Sequence, residues 1–230
     1  MTQLIPTDCS GKQSINVVVD MKPDSTDESY EIDTSQDGNV LMHVSQASLS
    51  YGFATLGQML DPDLSELPDH IEDEPRYEHR GVIIDVSQEY FDIGFLKIVV
   101  DTLSMMKVNK ILLHMIDDDS FPFELKSFSG MAEKTAFSPE ETYSLDDVAL
   151  MVAYSKEWGI TINPEFSVPS HLRPLKKINL DYLLMCENKW RTYDYEDQPL
   201  KIWGGPEWGQ LNPAMEASFA FVRLVVHDLE

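Results

Sequence analysis

The chain has 230 residues, an apolar fraction of 43% and a formal net charge of −23 at pH 7. This length is sufficient for one or two domains with a sizeable core. The charge argues against nucleic acid and anionic membranes as partners, because both would be repelled, and it favours a neutral or cationic ligand. A solvated acidic surface explains most of these charges equally well.

The cysteine content and the N-terminus exclude several classes of protein. Cys9 and Cys186 are too few for a disulfide scaffold and give no metal-binding spacing. The first residues lack the basic start and apolar core of a signal peptide, no apolar run is long enough to span a membrane, and no Asn-x-Ser/Thr sequon occurs. At face value these absences predict a soluble, unsecreted chain.

The chain up to residue 60 predicts a small α+β domain. β-branched or alternating patterns predict strands at 14–20, 29–34 and 40–44, and Asp37-Gly38 predicts a hairpin turn between the last two. A helix is predicted over 48–60 from the apolar residues Leu49, Phe53, Leu56 and Leu60.

The acidic stretch at 61–78 holds three prolines and predicts a linker. We therefore assign residues 1–74 to an N-terminal α+β domain with its linker, and residues 75–230 to a second domain.

The second domain predicts alternating strands and helices. Strands are predicted at 80–86, 110–116 and 160–166. Helices are predicted after an Asp92 cap, from a Ser144/Asp147 capping box, and with Pro213 at the first helical position. Three such units imply an α/β sheet or barrel, and three units cannot close a barrel of eight strands. Apolar residues at helical spacing predict the buried face of each helix in turn: Phe95, Leu96, Val99, Leu103 and Met106; Val148, Met151, Val152 and Trp158; Met215, Phe219, Val222 and Val226.

Three consecutive carboxylates follow the second of these strands. The apolar run reaches His114 and then breaks at Asp117, Asp118 and Asp119. Active sites of α/β sheets and barrels are built at this end of the strands, which favours substrate binding or acid–base support. The alternatives are a solvated loop and a Ca²⁺ or Mg²⁺ site, although no EF-hand spacing is present.

Glu165 and His171 follow the third strand and could converge with Asp117. Alternatively, Glu165 pairs with a cation and His171 is an ordinary loop residue. Arg80 and Asp85, at the two ends of the first strand, predict a buried ion pair.

The long connection at 167–211 is rich in Pro, Gly and Trp, and loops of this length are usually functional or disordered. Its tryptophans could stack on a sugar or hold the loop against a small core of its own. They are Trp190, Trp203 and Trp208.

Several collinear segments resemble the β-N-acetylhexosaminidases of glycoside hydrolase family twenty. The segments are Pro-Arg-Tyr-Glu-His-Arg-Gly-Val-Ile-Ile-Asp-Val-Ser at 75–87, His-Met-Ile-Asp-Asp-Asp-Ser-Phe-Pro-Phe-Glu at 114–124, Pro-Glu-Phe-Ser-Val-Pro-Ser-His at 164–171 and Gly-Gln-Leu-Asn-Pro at 209–213. Tyr51-Gly52 and its helix resemble the end of the family's N-terminal domain. The resemblance covers the chain from about residue 14 to its last residue.

The resemblance implies a small α+β domain followed by the first three βα units of a (β/α)₈ TIM barrel, which is therefore incomplete. It implies hydrolysis of terminal β-linked N-acetylglucosamine or N-acetylgalactosamine with retention, by attack of the substrate's own acetamido oxygen. In the family an adjacent Asp and Glu, in a Gly-Gly-Asp-Glu-type motif of the fourth strand, carry the chemistry. This sequence contains no such motif, so we assign no catalytic residue and expect the isolated chain to be inactive.

By resemblance, Asp117, Asp118 and His171 bind the sugar or support the catalytic Glu, with no metal and no cofactor. Three positions depart from the family pattern: Gln88 stands for the Arg that grips sugar hydroxyls, Ser167 stands for an Asp, and only the last His of a His-Trp-His remains, as His114. A neutral Gln cannot supply the forked, charged donors of a guanidinium. Cys186 resembles a loop cysteine whose family partner would not be in this chain.

The implied partners are amino-sugar glycans or glycoconjugates, with a dimer as in the family and no nucleic acid. The family is typically lysosomal or secreted, whereas this sequence shows neither signal peptide nor sequon. The competing interpretation is a non-catalytic, degenerate homologue or a fragment that acts as a glycan-binding or interaction protein.

Overall fold

The computed structural model describes residues 15–35, 39–60, 68–185 and 209–229. These residues form two compact units. The first contains the described residues up to Gly81, together with Lys97–Lys110 and Tyr154–Thr161. The second contains Val82–Leu96, Ile111–Ala153 and the described residues from Ile162 onward. The domain boundary after residue 74 stays a prediction.

A four-stranded sheet and one helix make up most of the first unit. The elements are β1 (Asn16–Met21), β2 (Tyr30–Thr34), β3 (Asn39–Val44), α1 (Leu49–Met59) and β4 (His70–Asp73), and the sheet order is β1-β3-β2-β4. β1 runs parallel to β3, whereas β2 is antiparallel to both β3 and β4. The three strands and the helix predicted up to residue 60 are thus confirmed. The Asp37-Gly38 turn lies outside the described residues.

The predicted linker was wrong where β4 forms. His70–Asp73 pairs with β2, and Ile71 lies opposite Ile32. The stretch His-Ile-Glu-Asp contains only one apolar residue, so its alternation is too short to indicate a strand from sequence. Pairing with β2 supplies the order that local propensity does not.

Alternating residues of this sheet form the core of the first unit with α1. Side chains of a strand point to opposite faces in turn, so Tyr30 and Ile32 of β2 and every second residue of β3 from Val40 are buried. Gly52 lets the helix approach closely, because a Cβ there would lie 2.6 Å from Met42 Cε. The buried apolar residues of this core are Tyr30, Ile32, Val40, Met42, Val44, Tyr51, Leu56 and Met59.

A half-buried ion pair belongs to the same unit, but it is not the predicted one. Arg80 Nη2 lies 2.7 Å from Glu28 Oε1, and the guanidinium also donates to the backbone oxygens of Tyr77 and Lys107 at 2.7 Å. The predicted Arg80–Asp85 pair is therefore wrong. The two residues flank one strand, and five residues of strand separate its ends by about 16 Å, beyond the reach of a direct contact.

Three further strands form a second sheet in the order β5-β6-β7. They are β5 (Gly81–Asp85), β6 (Lys110–His114) and β7 (Thr161–Glu165), and the long helices α2 (Ile93–Met105) and α4 (Leu145–Glu157) connect them. The short helix α3 (Ala132–Thr135) lies between β6 and α4. Backbone hydrogen bonds join the start of β6 to the start of β5 (Lys110 N to Arg80 O, 3.2 Å) and the end of β6 to the end of β5 (Val86 N to His114 O, 3.2 Å). The strands therefore run parallel, which confirms the α/β class.

Two of the predicted helix starts are confirmed by their caps. Asp92 Oδ1 accepts a hydrogen bond from Phe95 N at 2.9 Å. Ser144 and Asp147 form the reciprocal capping box, with Asp147 N to Ser144 Oγ at 3.1 Å and Ser144 N to Asp147 Oδ2 at 3.0 Å.

The last helix, α5 (Glu216–Leu229), begins later than predicted. Pro213 lies in a preceding turn, in which Asn212 Oδ1 accepts from Ala214 N at 3.0 Å. The Asx turn places Pro213 before the helix and not at its first position.

The predicted helix faces were right only in part. Leu56, Leu96, Leu103 and Met151 are buried, but α5 buries Ser218, Phe221 and Val225 in place of the predicted set. Apolar residues surround most of α5, so periodicity could not select the face. The predicted face residues that are exposed are Leu60, Phe95, Met106, Val152, Trp158, Phe219 and Val226.

The described part of the long connection is ordered by short elements. It contains 3₁₀ turns at Arg173–Ile178 and Asp181–Leu183 and the strand pair β8 (Leu184–Met185) and β9 (Gln210–Leu211). Cys186 and the three tryptophans predicted as sugar-stacking or loop-holding residues lie outside the described residues. None of the helices in the described ranges has the length and apolar character that crossing a membrane requires.

Candidate functional site

The turn after β5 holds Gln88 in place. Asp85 Oδ1 accepts three hydrogen bonds, from Ser87 N at 2.9 Å, Ser87 Oγ at 2.8 Å and Gln88 N at 3.0 Å. Ser120 Oγ donates to Ser87 O at 2.7 Å from the turn after β6. Because its backbone is fixed on both sides, the turn presents the Gln88 side chain at the C-terminal end of the strand.

Asp117 lies at the centre of the turn after β6. Gln88 Nε2 donates to Asp117 Oδ2 at 2.7 Å, and the backbone N–H of Asp118 donates to Asp117 Oδ1 at 2.6 Å. The turn is closed by Asp117 N donating to Ser120 O at 3.2 Å. The Asp117 side chain is only 14% exposed.

His114 links Asp117 to the end of β7. Its Nδ1 lies 3.0 Å from Glu165 Oε2, and its Nε2 lies 3.8 Å from Asp117 Oδ2. His114 ends β6 and Glu165 ends β7. Because these strands are parallel neighbours, the two side chains meet although they are distant in sequence.

His171 approaches the same carboxylates from the segment after β7. Its Nδ1 lies 2.8 Å from Asp117 Oδ1 and 3.5 Å from Asp118 Oδ2. These are ion-pair distances without hydrogen-bond alignment, since the buried His171 Nδ1 has no hydrogen-bond partner among the described residues. Asp118 Oδ1, the other oxygen of that carboxylate, is also buried without such a partner there. The backbone of His171 has φ 67°, a conformation rare for residues other than glycine and often found at functional sites.

Two backbone hydrogen bonds hold this segment against β9. Leu172 N donates to Gly209 O at 3.0 Å, and Leu211 N donates to Pro169 O at 2.7 Å. Gly209 has φ 72°, and a Cβ there would lie 2.3 Å from Arg173 N. Only glycine fits this position, so Gly209 fixes the backbone next to His171.

The structure thus brings together Asp117, Asp118 and His171, the three residues predicted for substrate binding or support. It also brings Glu165 to the cluster through His114. Asp119 is exposed and makes none of these contacts.

The two neighbouring carboxylates differ in their proton affinity. Burial opposes ionisation of Asp117, but the bonds from Gln88 and Asp118 N and the attraction to His171 lower its pKa below the usual value. Burial raises the pKa of Asp118, and the charge of Asp117 adds to this effect against the opposing attraction to His171. Asp117 is therefore the fixed anion of the site, whereas Asp118 is the carboxyl group that takes up a proton more readily.

Among the residues that the structure describes, two sets of donors could hold a cation. The ligand atoms of Asp117, Asp118 and His171 lie within 4.8 Å of one another, and so do those of Asp85, His114 and Asp117. Asp85 and Asp117, which take part in these sets, already accept hydrogen bonds from backbone or side-chain donors.

Sequence reasoning did not find the partners that fix these side chains. The spacing Asp85-x-Ser87 is an Asx-turn signal that could have shown how Gln88 is held. The His114–Glu165 contact and the role of Gly209 left no local signal, because both depend on segments far apart in sequence.

Comparisons with known proteins find a family match over the residues that contain this site. Residues 77–230 match the family model for the glycosyl hydrolase family 20 catalytic domain. The chain is 27% identical over 209 residues to the beta-hexosaminidase subunit beta of Homo sapiens, covering 89% of this chain and 35% of that protein. It is 29% identical over 211 residues to the beta-hexosaminidase of Emericella nidulans, covering 88% of this chain and 34% of that protein.

A solved structure shares the fold. An exo-beta-N-acetylglucosaminidase from Vibrio harveyi, in complex with N-acetylglucosamine, superimposes with a TM-score of 0.73 at 22% identity, covering 93% of this chain and 35% of that one. The chain spans about a third of the length of these proteins, in agreement with an incomplete barrel of three βα units.

Proposed function

The chain belongs to glycosyl hydrolase family 20, and on that premise we propose that it forms the first part of a β-N-acetylhexosaminidase. The reaction is hydrolysis of terminal β-linked N-acetylglucosamine or N-acetylgalactosamine from glycans or glycoconjugates. The observation that carries the proposal is the strand-end cluster within the matched residues, centred on the 2.8 Å contact between Asp117 and His171.

In this proposal the cluster binds and orients and does not itself break the glycosidic bond. Asp117 is a buried, ionised acceptor that can take a hydrogen bond from a sugar hydroxyl or hold a neighbouring imidazolium. Asp118 and His171 flank it. The acid–base Glu and the Asp that orients the acetamido group belong to the family's fourth-strand motif, which this sequence does not contain.

The 230-residue chain alone is therefore proposed to be inactive. Orientation without an acid–base group leaves the leaving-group oxygen unprotonated, and general acid–base catalysis typically contributes 10²–10⁴-fold to rate. No metal and no cofactor enter this mechanism, because the nucleophile is the substrate's acetamido oxygen.

Gln88 favours a second candidate function, a glycan-binding protein without hydrolase activity. The uncharged amide of Gln88 is bonded to Asp117 and lacks the forked, charged donors with which the family's guanidinium would hold sugar hydroxyls. A degenerate homologue of this kind would retain sugar binding after losing catalysis.

Two measurements on the purified 230-residue chain test these proposals. We expect no release of aglycone from an aryl β-N-acetylglucosaminide above a buffer blank, and a clear turnover would contradict the proposed inactivity. Calorimetric titration should show weak, saturable binding of N-acetylglucosamine and none of glucose. Lack of any saturable binding would contradict the assignment of the cluster as a sugar site.

A further inference from the structure

The two edges of the four-stranded sheet differ in how they are protected against pairing with another chain. Edge strands expose backbone N–H and C=O groups, and natural proteins protect them with short length, charged side chains or proline. β4 forms one edge and has the short, charged sequence His-Ile-Glu-Asp. β1 forms the other edge and, within the described ranges, pairs only with β3. Its sequence is Asn-Val-Val-Val-Asp-Met, without lysine, arginine or proline, so β1 is the less protected edge.

The backbone of β1 directs alternate residues to its open side. Lys22 N donates to Val44 O at 2.7 Å, so the backbone of Lys22 faces β3. Successive residues of a parallel ladder face alternately towards and away from the neighbouring strand. The N–H and C=O groups of Val17, Val19 and Met21 therefore face away from β3, where a further strand would bind them.

The hydrophobic core is incompletely covered along the same strand. Ile15, Val17 and Val19 pack against the buried core of the first unit, yet each of them is only partly buried. On the opposite face of β1, the side chain of Val18 is 42% exposed. A strand added at this edge would thus cover apolar surface as well as bind the free backbone groups.

The core face of β1 is self-complementary when two copies pair antiparallel about Val18. Residues directly opposite one another in such a pair lie on the same face of the sheet. In this register Val17 lies opposite Val19 of the second copy, and both have backbone groups that face the other strand. Ile15 lies opposite Met21 of the second copy. Apolar side chains therefore meet apolar side chains along the whole core face.

The outer face matches in the same register. Val18 lies opposite its own copy at the centre, where two exposed apolar side chains cover one another. Asn16 lies opposite Asp20 of the second copy, whose carboxylate can accept a hydrogen bond from the Asn16 amide. Asp20 is the only charged residue of β1, so no like charges lie directly opposite one another.

We propose that the edge of β1 is a self-association surface, at which two copies of this chain pair β1 to β1 antiparallel about Val18 and join their sheets into one. Both copies use the same patch, as a twofold axis requires. Six residues of strand from each copy form a small interface, so we expect a dissociation constant in the micromolar range or weaker. The net charge of −23 on each chain opposes the association, so added salt should strengthen it. This surface is independent of the proposed sugar site.

Sedimentation velocity of the purified 230-residue chain, from about 1 μM to about 1 mM, tests the association. The sedimentation coefficient should rise with concentration from that of a monomer towards that of a dimer. Val18→Lys should weaken dimerisation about tenfold or more, because it places two like charges directly opposite one another. Val152→Lys is the matched control, since Val152 is 45% exposed on α4 in the other unit and undergoes the same change of charge. It should not weaken dimerisation.

Disulfide cross-linking tests the register and does not depend on the stability of the lysine variant. Cys9 and Cys186 are first replaced by Ser. Val18→Cys should then form covalent dimers under oxidation, because such opposed residues have Cα atoms about 4.5 Å apart. Asp20→Cys is the control on the same face of β1, and it should cross-link about tenfold less, because it lies about 13 Å from its own copy in this register.

A monomer at every concentration and salt level would overturn the proposal, and would leave the β1 edge to a different occupant. Val152→Lys weakening the dimer as much as Val18→Lys would also overturn it, because the effect would then come from net charge and not from the β1 edge. Equal cross-linking of Val18→Cys and Asp20→Cys would do the same, since the two strands would not pair about Val18.

Discussion

Asp117 Oδ1 and His171 Nδ1 lie 2.8 Å apart although the two residues follow different strands of the parallel sheet. Asp117 is fixed from one side by Gln88 and the Asp118 backbone. His171 is fixed from the other by the backbone bonds to β9. The contact needs both the turn after β6 and the segment after β7, so a change in either should alter the Asp117–His171 contact.

Gly209→Ala should destabilise the second unit by about 2 kcal/mol or more, because the new Cβ meets Arg173 N at 2.3 Å and the residue is held at φ 72°. The displacement of the backbone at residues 172–173 should also change the His171 ring signals in NMR spectra. Gly57→Ala is the control, since a Cβ there meets nothing within 4 Å and α1 should gain up to about 1 kcal/mol. Equal denaturation midpoints for wild type and Gly209→Ala would contradict this account.

Arg80→Ala should cost about 2 kcal/mol of unfolding free energy, because it removes the main cation from the half-buried carboxylate of Glu28. Arg80→Lys should recover only part of this, since an ammonium cannot reach Glu28 and the backbone oxygens of Tyr77 and Lys107 together. Arg223→Lys, at an exposed pair with Glu216, should change stability by less than about 0.5 kcal/mol. Urea titrations measure the free energy of unfolding of each of the three variants. Equal losses of that free energy in all three would contradict the role given to the Arg80–Glu28 pair.

Asp117→Asn and Asp118→Asn should have opposite effects at pH 7. The pKa of Asp117 is lowered in the folded state, so its ionisation stabilises the fold above the ordinary pKa of 3.8, and this stabilisation is lost as pH falls through the folded value. The pKa of Asp118 is raised, so its ionisation costs stability once pH rises above the unfolded value of about 3.8.

Asn at position 117 should therefore destabilise the protein by about 1–3 kcal/mol at pH 7, whereas Asn at 118 should raise the denaturation midpoint. The difference between the two variants should narrow as the buffer is taken from pH 7 towards pH 4. A loss of stability of the same size in both variants at pH 7 would show that the two carboxylates do not differ as described.

Tyr143→Phe should cost about 1–2 kcal/mol, because the hydroxyl donates to Phe91 O at 2.6 Å and accepts from Phe91 N at 3.3 Å. The ring itself stacks on Phe123 and stays in place. Tyr77→Phe is a suitable control, since Tyr77 is 65% exposed. Thermal denaturation that ranked the control as the more damaging change would contradict the argument.

The sequence predicted best where the signal was local. The strands with β-branched or apolar runs, the Asp92 cap and the Ser144/Asp147 capping box all depend on residues within one turn or one strand. Hexosaminidase-like segments then placed Asp117, Asp118 and His171 at strand ends, where the structure brings them together.

Prediction failed where order comes from another segment. β4 is a strand because β2 pairs with it, and its own composition gives no such indication. Arg80 forms its ion pair with Glu28, which is distant in sequence, and not with Asp85 at the other end of its own strand. The buried face of α5 could not be read from a helix that is apolar on most sides. These are tertiary effects, which override weak local preferences.

The central claim is that the strand-end cluster binds an amino sugar, and amide NMR spectra of the 230-residue chain titrated with N-acetylglucosamine test it most directly. The account predicts saturable chemical-shift changes in the turns at residues 85–88, 117–118 and 171–173. The affinity for the sugar should fall about tenfold or more in Asp117→Asn. It should be unchanged in Asp119→Asn, which makes the same change of charge at the exposed neighbouring residue. Absence of saturable shifts, or equal affinity in wild type and Asp117→Asn, would contradict it.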